Sequence, residues 1–291
     1  MSKEGNIIWL ASYPKSGNTW LRIFLNNLLS EKEEIININA LYEIDFISSE
    51  RVFFDETVGV DSIDLTLDEI DYYLPYVHTL RSQQLTEKKF IKTHDAYTKN
   101  KQGNWIIPVS TIYKTIYLIR NPLDICVSFA YHFGHTNFNK MIKQMANPKT
   151  ILAESKTKPN NQLHQYMGSW SSHVNSWTNL PNNKLLVIRY EDMKLKPQAT
   201  FTKIIRFIGL KHSDIEIVTA LEKSDIKKLQ KIEDERGFIE KMHKAQRFFR
   251  KGIVGSWQQE LTKKQVQQII KDHKELMIKY DYLDANGVLK V

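Results

Sequence analysis

Residues 6–30 read NIIWLASYPKSGNTWLRIFLNNLLS, an apolar run that stops at a short polar turn and then restarts with a different period. Residues 7–11 are mostly β-branched or aromatic, which predicts a buried strand. From Trp20 onward apolar side chains recur with helical spacing, which predicts a helix with one apolar side. The first N–H groups of a helix are unpaired and carry the positive end of its dipole. This strand, turn and helix start therefore predict an anion-binding loop.

The order of residues in the turn differs from that of the nucleoside-triphosphatase loop, Gly-x-x-x-x-Gly-Lys-Ser/Thr. When Gly17 is aligned with the second glycine of that pattern, Asn18 takes the place of the lysine, and Lys15 lies ahead of the glycine. A P-loop kinase or triphosphatase also needs a magnesium ligand, usually an aspartate at a neighbouring strand end, where this chain has Arg120. The turn thus predicts phosphate binding with its cation on the opposite flank, and the kinase or triphosphatase is the alternative.

The chain has 291 residues, of which 42% are hydrophobic and 25% charged, so it can bury a large core. Strand-like runs alternate with helical patterns, which predicts a P-loop-like, three-layer α/β fold with a central parallel sheet flanked by helices. We expect a single domain over residues 1–291, because no repeat or linker interrupts the pattern.

Cysteine content and hydropathy limit the cellular setting. The single cysteine, Cys126, excludes disulfide scaffolds and cysteine-based metal sites, and a cytoplasmic location is the simplest expectation. The first residues, Met-Ser-Lys-Glu-Gly-Asn, form no basic region ahead of a long apolar one, so we expect no signal peptide. No apolar run approaches the roughly 18 residues of a spanning helix, so we expect no membrane span.

The formal net charge is +8, which fits either nucleic-acid binding or a small anionic ligand. The lysines between residues 223 and 231 are spread along a helical face, as on a solvated surface. Because no nucleic-acid-binding motif accompanies them, we expect no nucleic-acid partner.

Other secondary structure follows from the same periodicities. Strands are predicted at residues 89–94, 115–121 and 184–192. Helices are predicted at residues 72–84, after Pro122, after Pro197, within 213–232 and over 262–280. Irregular structure is predicted for the acidic stretch 41–74, for the lysine-rich stretch 137–161 as a candidate lid, and for the glycine-broken stretch 249–257.

Charged residues follow the predicted strands. Lys92 and His94 lie two residues apart and so face the same side of one strand. Ligands of parallel α/β sheets bind outside the carboxyl ends of the strands, where Lys15, His94 and Arg120 are all expected. Each of them alone is better explained as a solvated charge or a buried histidine, and only their shared position predicts a site.

A second group of cations lies near the end of the chain. Arg250 and Lys251 precede Gly252, which lets the backbone approach a ligand closely. Separately, Arg120 closes a predicted strand and is followed by a helix that carries Ser128.

Five motifs occur in order: YPKSGNTW at 13–20, KTH at 92–94, YLIRNPLDICVSFAYHF at 117–133, IRYEDM at 188–193 and FRKGIVGSW at 249–257. Their order and spacing resemble those of the cytosolic-type sulfotransferases, and the chain is similar to a bacterial-like member from about residue 6 to 282. These enzymes use 3'-phosphoadenosine 5'-phosphosulfate (PAPS) and release 3',5'-ADP. The resemblance implies a PAPS-dependent sulfotransferase that acts on a hydroxyl or amine of a small-molecule acceptor without a metal.

The resemblance also implies a role for each matching residue. The 5'-phosphosulfate would be held by Lys15, Ser16, Gly17, Asn18 and Thr19. The adenine would contact Trp20, Tyr190 and Ser224, and the 3'-phosphate would contact Arg120, Ser128, Arg250, Lys251 and Gly252. His94 would be the catalytic base, with Lys92 as its neighbour.

The chemistry of these residue types agrees with the implied roles. Sulfuryl transfer, like phosphoryl transfer, needs in-line geometry and charge stabilisation. The leaving oxygen gains negative charge as the S–O bond breaks, and Lys15 is expected to stabilise it. The acceptor must lose a proton, which a histidine with an unperturbed pKa of about 6.5 can take near neutral pH. The predicted catalytic residues are therefore His94, Lys15 and Lys92.

Three positions depart from the family pattern. Asn18 replaces a common threonine, Ile226 lies where many relatives have an aromatic residue over the adenine, and Ser256 replaces a frequent aspartate. The dimer segment of many animal relatives, Lys-x-x-x-Thr-Val-x-x-x-Glu, is not retained after the last motif. We therefore expect a monomer or a weak homodimer.

The stretch 41–74 bears on the acceptor. It is acidic, and Arg51 is its only lysine or arginine. A solvated surface explains most of its carboxylates, but an inward-facing one would favour a cationic acceptor and leave a neutral one beside an unpaired charge. We expect the acceptor to be a polar or cationic secondary metabolite, such as a saxitoxin-like guanidinium alkaloid. A phenol or lipid sulfotransferase is the alternative.

Overall fold

The structure, a computed structural model, describes residues 5–30, 35, 37–41, 45–153, 161–181 and 183–290. The strands are β1 (Ile7–Ser12), β2 (Asp45–Ile47), β3 (Lys89–Thr93), β4 (Ile112–Ile119), β5 (Ile151–Leu152), β6 (Gln165–Tyr166) and β7 (Leu185–Arg189). The helices are α1 (Asn18–Leu29), α2 (Arg51–Val58), α3 (Leu67–Gln84), α4 (Pro122–His132), α5 (Phe138–Ala146), α6 (Trp170–Thr178), α7 (Tyr190–Leu195), α8 (Pro197–Phe207), α9 (Asp214–Lys223), α10 (Ile226–Arg236) and α11 (Lys263–Lys279).

The predicted strand, turn and helix of residues 6–30 are confirmed. Every residue of β1 is buried, as expected for a central parallel strand that is covered on both faces. α1 begins directly after Gly17 and buries Leu21, Phe24 and Leu28, which lie three and four residues apart along one side of the helix.

Five strands form one sheet in the order β2-β3-β1-β4-β7. β1 runs parallel to β3, with Trp9 opposite Ile91, and β2 runs parallel to the other edge of β3, with Phe46 opposite Ile91. A parallel sheet whose strands alternate with helices along the chain confirms the predicted α/β fold class.

Two compact units are distinguished along the chain. The first spans Met1–Tyr13, Ile44–Tyr117 and Pro148–Val187 and contains β1, β2, β3 and most of β4. Outside the sheet, the antiparallel pair β5–β6 and the helices α2, α3 and α6 belong to it. α2 and α3 bury one apolar cluster together with residues of two later segments: Phe54, Ile70, Leu74, Val77, Ile106 and Leu163.

The second unit spans Pro14–Glu43, Leu118–Asn147 and Ile188–Val291. It contains α1, α4, α5 and the five helices from α7 to α11. α1 packs against α9, and α4 packs against α5. One of its apolar clusters joins α1 and α10 to the segment before residue 250: Ile23, Ile38, Leu41, Leu229, Phe238 and Phe249. The single domain expected for residues 1–291 stays a prediction.

The predicted strands are present, with ends that differ by up to three residues. β4 begins at Ile112, and β7 ends at Arg189 because α7 starts at the next residue. The prediction of irregular structure for 41–74 was wrong: it contains β2, α2 and the start of α3. Residues 42–44 lie outside the described residues.

The candidate lid at 137–161 also contains regular structure. α5 buries Phe138, Met141, Ile142 and Met145, which recur at helical spacing among lysines and amides. The side chain of Asn137 accepts a hydrogen bond from the Lys140 N–H and so caps the helix. Residues 154–160 of the candidate lid lie outside the described residues. None of the described helices is both long and apolar enough to cross a membrane.

Candidate active site

All the predicted donor-binding residues lie in the second unit, and the turn after β1 is the centre of this group. Lys15 and Gly17 both have left-handed backbone, with φ of 70° and 101°. A Cβ on Gly17 would lie 2.7 Å from Cδ2 of Tyr190, so only glycine fits there. Left-handed backbone costs a non-glycine residue such as Lys15 about 1–3 kcal/mol, and such residues cluster at ligand sites. The backbone of this turn is therefore typical of a ligand-binding turn rather than of a simple connection between a strand and a helix.

The start of α1 presents polar groups beside this turn. Gly17 has no side chain with which to cap the helix. Ser16 is fully buried, and its Oγ makes no hydrogen bond to any described residue. Asn18 is buried, and the Thr19 hydroxyl donates to Oε2 of Glu240 over 3.3 Å. A buried hydroxyl without a partner costs free energy that a bound oxyanion would recover.

Both the side chain and the main chain of Lys15 contact other residues of the site. Its ammonium lies 4.2 Å from the centre of the Phe248 ring. Its carbonyl oxygen accepts a hydrogen bond from Nη1 of Arg120 over 3.0 Å. An aromatic face attracts a cation, so the Phe248 ring holds the Lys15 ammonium beside the turn.

Arg120, directly after β4, is a buried cation that forms no ion pair with a described carboxylate. Only 7% of it is exposed. Besides Lys15, its guanidinium donates to the Ile253 carbonyl over 3.3 Å and lies 4.1 Å from the Tyr190 ring centre. Nε of Arg120 has no hydrogen-bond partner among the described residues. Because an unneutralised buried charge is expensive, this environment is suited to an anionic ligand.

Arg250 and Lys251 are neutralised in part by Glu260, a residue that sequence reasoning missed. Nη1 of Arg250 and Nζ of Lys251 each lie 3.2 Å from Oε1 of Glu260. The Tyr131 hydroxyl donates to Oε2 over 3.0 Å, and the Arg250 guanidinium lies 3.9 Å from the Tyr131 ring centre. Three donors therefore converge on one carboxylate. Ser128 is half-buried on α4, one turn before Tyr131, and its hydroxyl makes no hydrogen bond to a described residue.

The backbone after Gly252 is fastened by Asp124, which is also new to the site. Asp124 is fully buried on α4 and accepts hydrogen bonds from the Gly255 N–H (2.8 Å), the Ser256 hydroxyl (2.9 Å) and the Trp257 N–H (3.2 Å). This explains Ser256: a hydroxyl donates to the carboxylate where an aspartate would repel it. Gly252 has a φ of 61°, and a Cβ at this position would lie 3.1 Å from Cγ1 of Ile226.

The residues predicted around the adenine are brought together. The rings of Trp20 and Tyr190 are edge-to-face with centres 6.2 Å apart. Burial raises the pKa of Tyr190, so its phenol stays neutral. The Ser224 hydroxyl is fully buried, donates to the Ala220 carbonyl over 2.7 Å and accepts from Asn27 over 3.2 Å. Its predicted adenine contact stays a prediction.

Lys92 and His94 lie in the first unit, at the end of β3. Lys92 is 8% exposed, whereas His94 is half-buried. Nδ1 of His94 lies 2.8 Å from the Ser12 carbonyl oxygen. Because a carbonyl only accepts, Nδ1 carries the proton, and the lone pair of the neutral ring is on Nε2. This is the tautomer in which Nε2 can act as a base.

A buried layer of polar groups supports the His94 backbone. Nε2 of His173 donates to the His94 carbonyl over 3.1 Å, and Nδ1 of His173 accepts from the Tyr117 hydroxyl over 2.8 Å. Burial lowers the pKa of His173 to about 4, so it is neutral at neutral pH. The next residue, Asp95, accepts from the Tyr166 N–H over 3.0 Å, and burial raises its pKa to about 7.

The fold and the turn after β1 place the chain among P-loop-like α/β proteins, and comparison with known proteins identifies the family. The sulfotransferase domain model matches residues 6–281. The chain belongs to the sulfotransferase family, which confirms the family predicted from the five motifs.

Relatives are distant in sequence. Sulfotransferase 2A6 of Mus musculus is 28% identical over 169 residues, 57% of this chain and 56% of that relative, so the match spans about half of its length. Cytosolic sulfotransferase 13 of Arabidopsis thaliana is 26% identical over 297 residues, 97% of this chain and 79% of that relative. The crystal structure of mouse sulfotransferase SULT7A1 complexed with PAP has a TM-score of 0.62 and 21% identity, covering 96% of this chain and 86% of that chain.

Proposed function

We propose that this protein transfers the sulfuryl group of PAPS to a hydroxyl or amine of a small-molecule acceptor. The observation that supports it best is Arg120, a buried guanidinium beside the turn after β1 with no ion pair to a described carboxylate. Such a charge is stable when an anion lies against it. Membership in the sulfotransferase family supports PAPS as that anion.

The residues present fit the donor. Ser16 Oγ and Arg120 Nε are buried polar atoms without described partners, as expected where a phosphate oxygen would bind. We propose that Lys15, Ser16, Gly17, Asn18 and Thr19 hold the 5'-phosphosulfate, and that Trp20, Tyr190 and Ser224 contact the adenine. We propose that Arg120, Ser128, Arg250, Lys251 and Gly252 hold the 3'-phosphate. When bound, PAPS supplies an activated sulfuryl group whose transfer needs no further cofactor, so the reaction is proposed to need no metal.

His94 is the proposed general base. Its Nε2 carries the lone pair while Nδ1 donates to the Ser12 carbonyl, and Nε2 accepts the proton that the acceptor loses. The Ser12 oxygen then lies next to an imidazolium, whose charge it stabilises. Lys92, buried on the same strand, is the proposed second cation of the reaction.

Lys15 is the proposed stabiliser of the leaving oxygen. Its ammonium lies 4.2 Å from the centre of the Phe248 ring, beside the turn, and a lysine ammonium next to the leaving oxygen stabilises the negative charge that develops there. A contact that strengthens in the transition state lowers the barrier, whereas one of equal strength in the ground state does not.

Nucleotide binding separates this function from its rival, a P-loop kinase or triphosphatase. We expect 3',5'-ADP to raise the melting temperature without magnesium, because ligand at a hundredfold excess over its Kd stabilises a protein by about 2.7 kcal/mol. The comparison is Mg-ATP at the same concentration, read by scanning calorimetry. Stabilisation by Mg-ATP and none by 3',5'-ADP would support the rival, and transfer of label from PAPS to an acceptor would then be absent.

Replacing Arg120 should weaken donor binding more than it slows turnover. The guanidinium would make charge-assisted hydrogen bonds to the donor at about 1.5–3 kcal/mol each, so Arg120→Ala should raise the Kd for 3',5'-ADP roughly 10- to 100-fold. The measurement is isothermal titration calorimetry. Arg206→Ala removes an exposed arginine on α8 and is the matched control. An unchanged Kd in Arg120→Ala would contradict the assignment.

The acceptor is proposed to be a polar or cationic metabolite, and a panel assay decides its class. Four of the described carboxylates of the acidic stretch make contacts within the protein. Glu50 pairs with Arg81, Glu69 caps α3, Asp68 pairs with Lys101 and Asp71 pairs with His164. The Asp45 side chain is outside the described residues. With PAPS constant, faster turnover of guanidinium or amine acceptors than of phenols and lipids would support the proposal, and the reverse order would contradict it.

The proposal extends to the cellular setting. We propose that the protein acts in the cytoplasm as a monomer or weak homodimer and has no nucleic-acid partner. The name of the Arabidopsis relative, a cytosolic sulfotransferase, supports the compartment. Light scattering over a range of protein concentrations tests the oligomeric state.

A further inference from the structure

A carboxylate lies on the two cations assigned to the donor's 3'-phosphate. Glu260 contacts Nη1 of Arg250 and Nζ of Lys251, both at 3.2 Å, through a single oxygen. Its second oxygen accepts from the Tyr131 hydroxyl. The Glu260 side chain is 17% exposed, against 24% for Arg250 and 38% for Lys251, so the anion is the most sheltered of the three charges.

Backbone hydrogen bonds position both Glu260 and the cations that it contacts. Glu260 follows a 3₁₀ turn, Ser256–Gln259, and its N–H donates to the Trp257 carbonyl. The start of that turn is fastened to the buried carboxylate of Asp124. On the other side, Gln230 donates to the carbonyls of Phe249 (2.8 Å) and Arg250 (2.7 Å). The carboxylate and the cations are thus brought together by anchored backbone on both sides.

Glu260 reduces the positive charge that Arg250 and Lys251 offer to a phosphate. Two cations and one carboxylate sum to one positive charge at neutral pH. A phosphate monoester brings up to two negative charges, and it would share Arg250 and Lys251 with a like-charged neighbour. Like charges placed against each other in an interface weaken binding.

We infer that Glu260 is a built-in competitor for the donor's 3'-phosphate: it occupies Arg250 and Lys251 in the free protein and weakens the hold on every nucleotide that carries this phosphate. This inference rests on the proposed function. PAPS and 3',5'-ADP carry the same 3'-phosphate, so a site that binds this phosphate tightly also releases the product slowly. By weakening that contact, Glu260 favours release of 3',5'-ADP. The carboxylate returns to the cations as 3',5'-ADP leaves, so the two charges are not left uncompensated.

The test is titration calorimetry of 3',5'-ADP and of 5'-AMP, which lacks the 3'-phosphate. Glu260→Gln removes the charge and keeps the shape, so 3',5'-ADP should bind about tenfold more tightly. For 5'-AMP the change should stay within about twofold, because it does not compete with Glu260. Glu235→Gln, which removes a carboxylate from the exposed face of α10, controls for the change in net charge.

Tyr131→Phe provides a second variant that keeps the ring over Arg250 and removes only the hydroxyl that donates to Glu260. It frees the carboxylate to move away, so 3',5'-ADP should bind more tightly, by less than in Glu260→Gln. Weaker or unchanged binding of 3',5'-ADP to Glu260→Gln would overturn the inference and make Glu260 a positioning residue for the cations. An equal gain for both nucleotides would overturn it as well. A wild-type protein that binds neither nucleotide would refute the proposed function itself.

Discussion

Replacing His94 with alanine should reduce turnover by about 10²- to 10⁴-fold, the range in which loss of a general base usually falls. The reason is the tautomer: Nδ1 donates to the Ser12 carbonyl, which leaves Nε2 as the proton acceptor. Alanine removes the acceptor and leaves the backbone of β3 in place. The measurement is the initial rate with saturating PAPS and acceptor.

The Kd for 3',5'-ADP should remain within about threefold of wild type in His94→Ala, because general-base loss acts on the reacting proton. His243→Ala, which removes an exposed histidine, is the matched control for the loss of an imidazole. Near-normal turnover in His94→Ala would exclude His94 as the base. A large loss of 3',5'-ADP binding would instead make it a structural residue.

Replacing Lys15 with methionine should lower kcat by about 10²- to 10³-fold, the size of effect seen when one stabiliser of developing charge is removed. Methionine keeps much of the length of the lysine side chain while it removes the charge that lies against the Phe248 ring, and a thioether packs well on an aromatic ring. Because the contact with the leaving oxygen strengthens in the transition state, kcat should fall more than the affinity for 3',5'-ADP. Rapid-quench measurement of a single turnover reports the chemical step directly.

The control for Lys15 is Lys203→Met, at an exposed lysine on α8. A Lys15→Met variant that loses donor affinity while its single-turnover rate is unchanged at saturating donor would refute the leaving-group role. In that case Lys15 would belong with Arg120, whose loss is expected to act on binding.

The strand, turn and helix of residues 6–30 were predictable because the information that specifies them is local. A buried run, a turn with a left-handed glycine and a helix start follow one another within residues 6–30, and each has its own sequence pattern. The parallel sheet was predictable for a similar reason, since strands alternating with helices leave few other arrangements. Ser16, Gly17 and Arg120 were accordingly named in advance.

Regular structure with weak periodicity was missed. α2 has eight residues, of which Phe54 is buried, and Phe54 packs in a cluster with Ile106 and Leu163. A contact over about fifty residues or more leaves no trace in a short sequence window. α5 did carry a helical pattern of buried residues, but the surrounding lysines and amides hid it within a stretch of polar composition.

The partners of the predicted charges show where reasoning from the chain alone ends. Residue type and motif position named Arg250 and Lys251, but Glu260 reaches them from beyond a turn that Asp124, over a hundred residues earlier, fastens in place. Ser256 was an unexplained departure until Asp124 proved to be its acceptor. Likewise His94 was a candidate base from its strand position, but its tautomer depends on the carbonyl of Ser12, which a neighbouring strand supplies.

Local patterns specify which side chains can do chemistry, because backbone periodicity and turn geometry act over a few residues. Which of those charges is neutralised, and which nitrogen of a histidine holds the proton, follows from contacts between distant segments that form only when the chain packs.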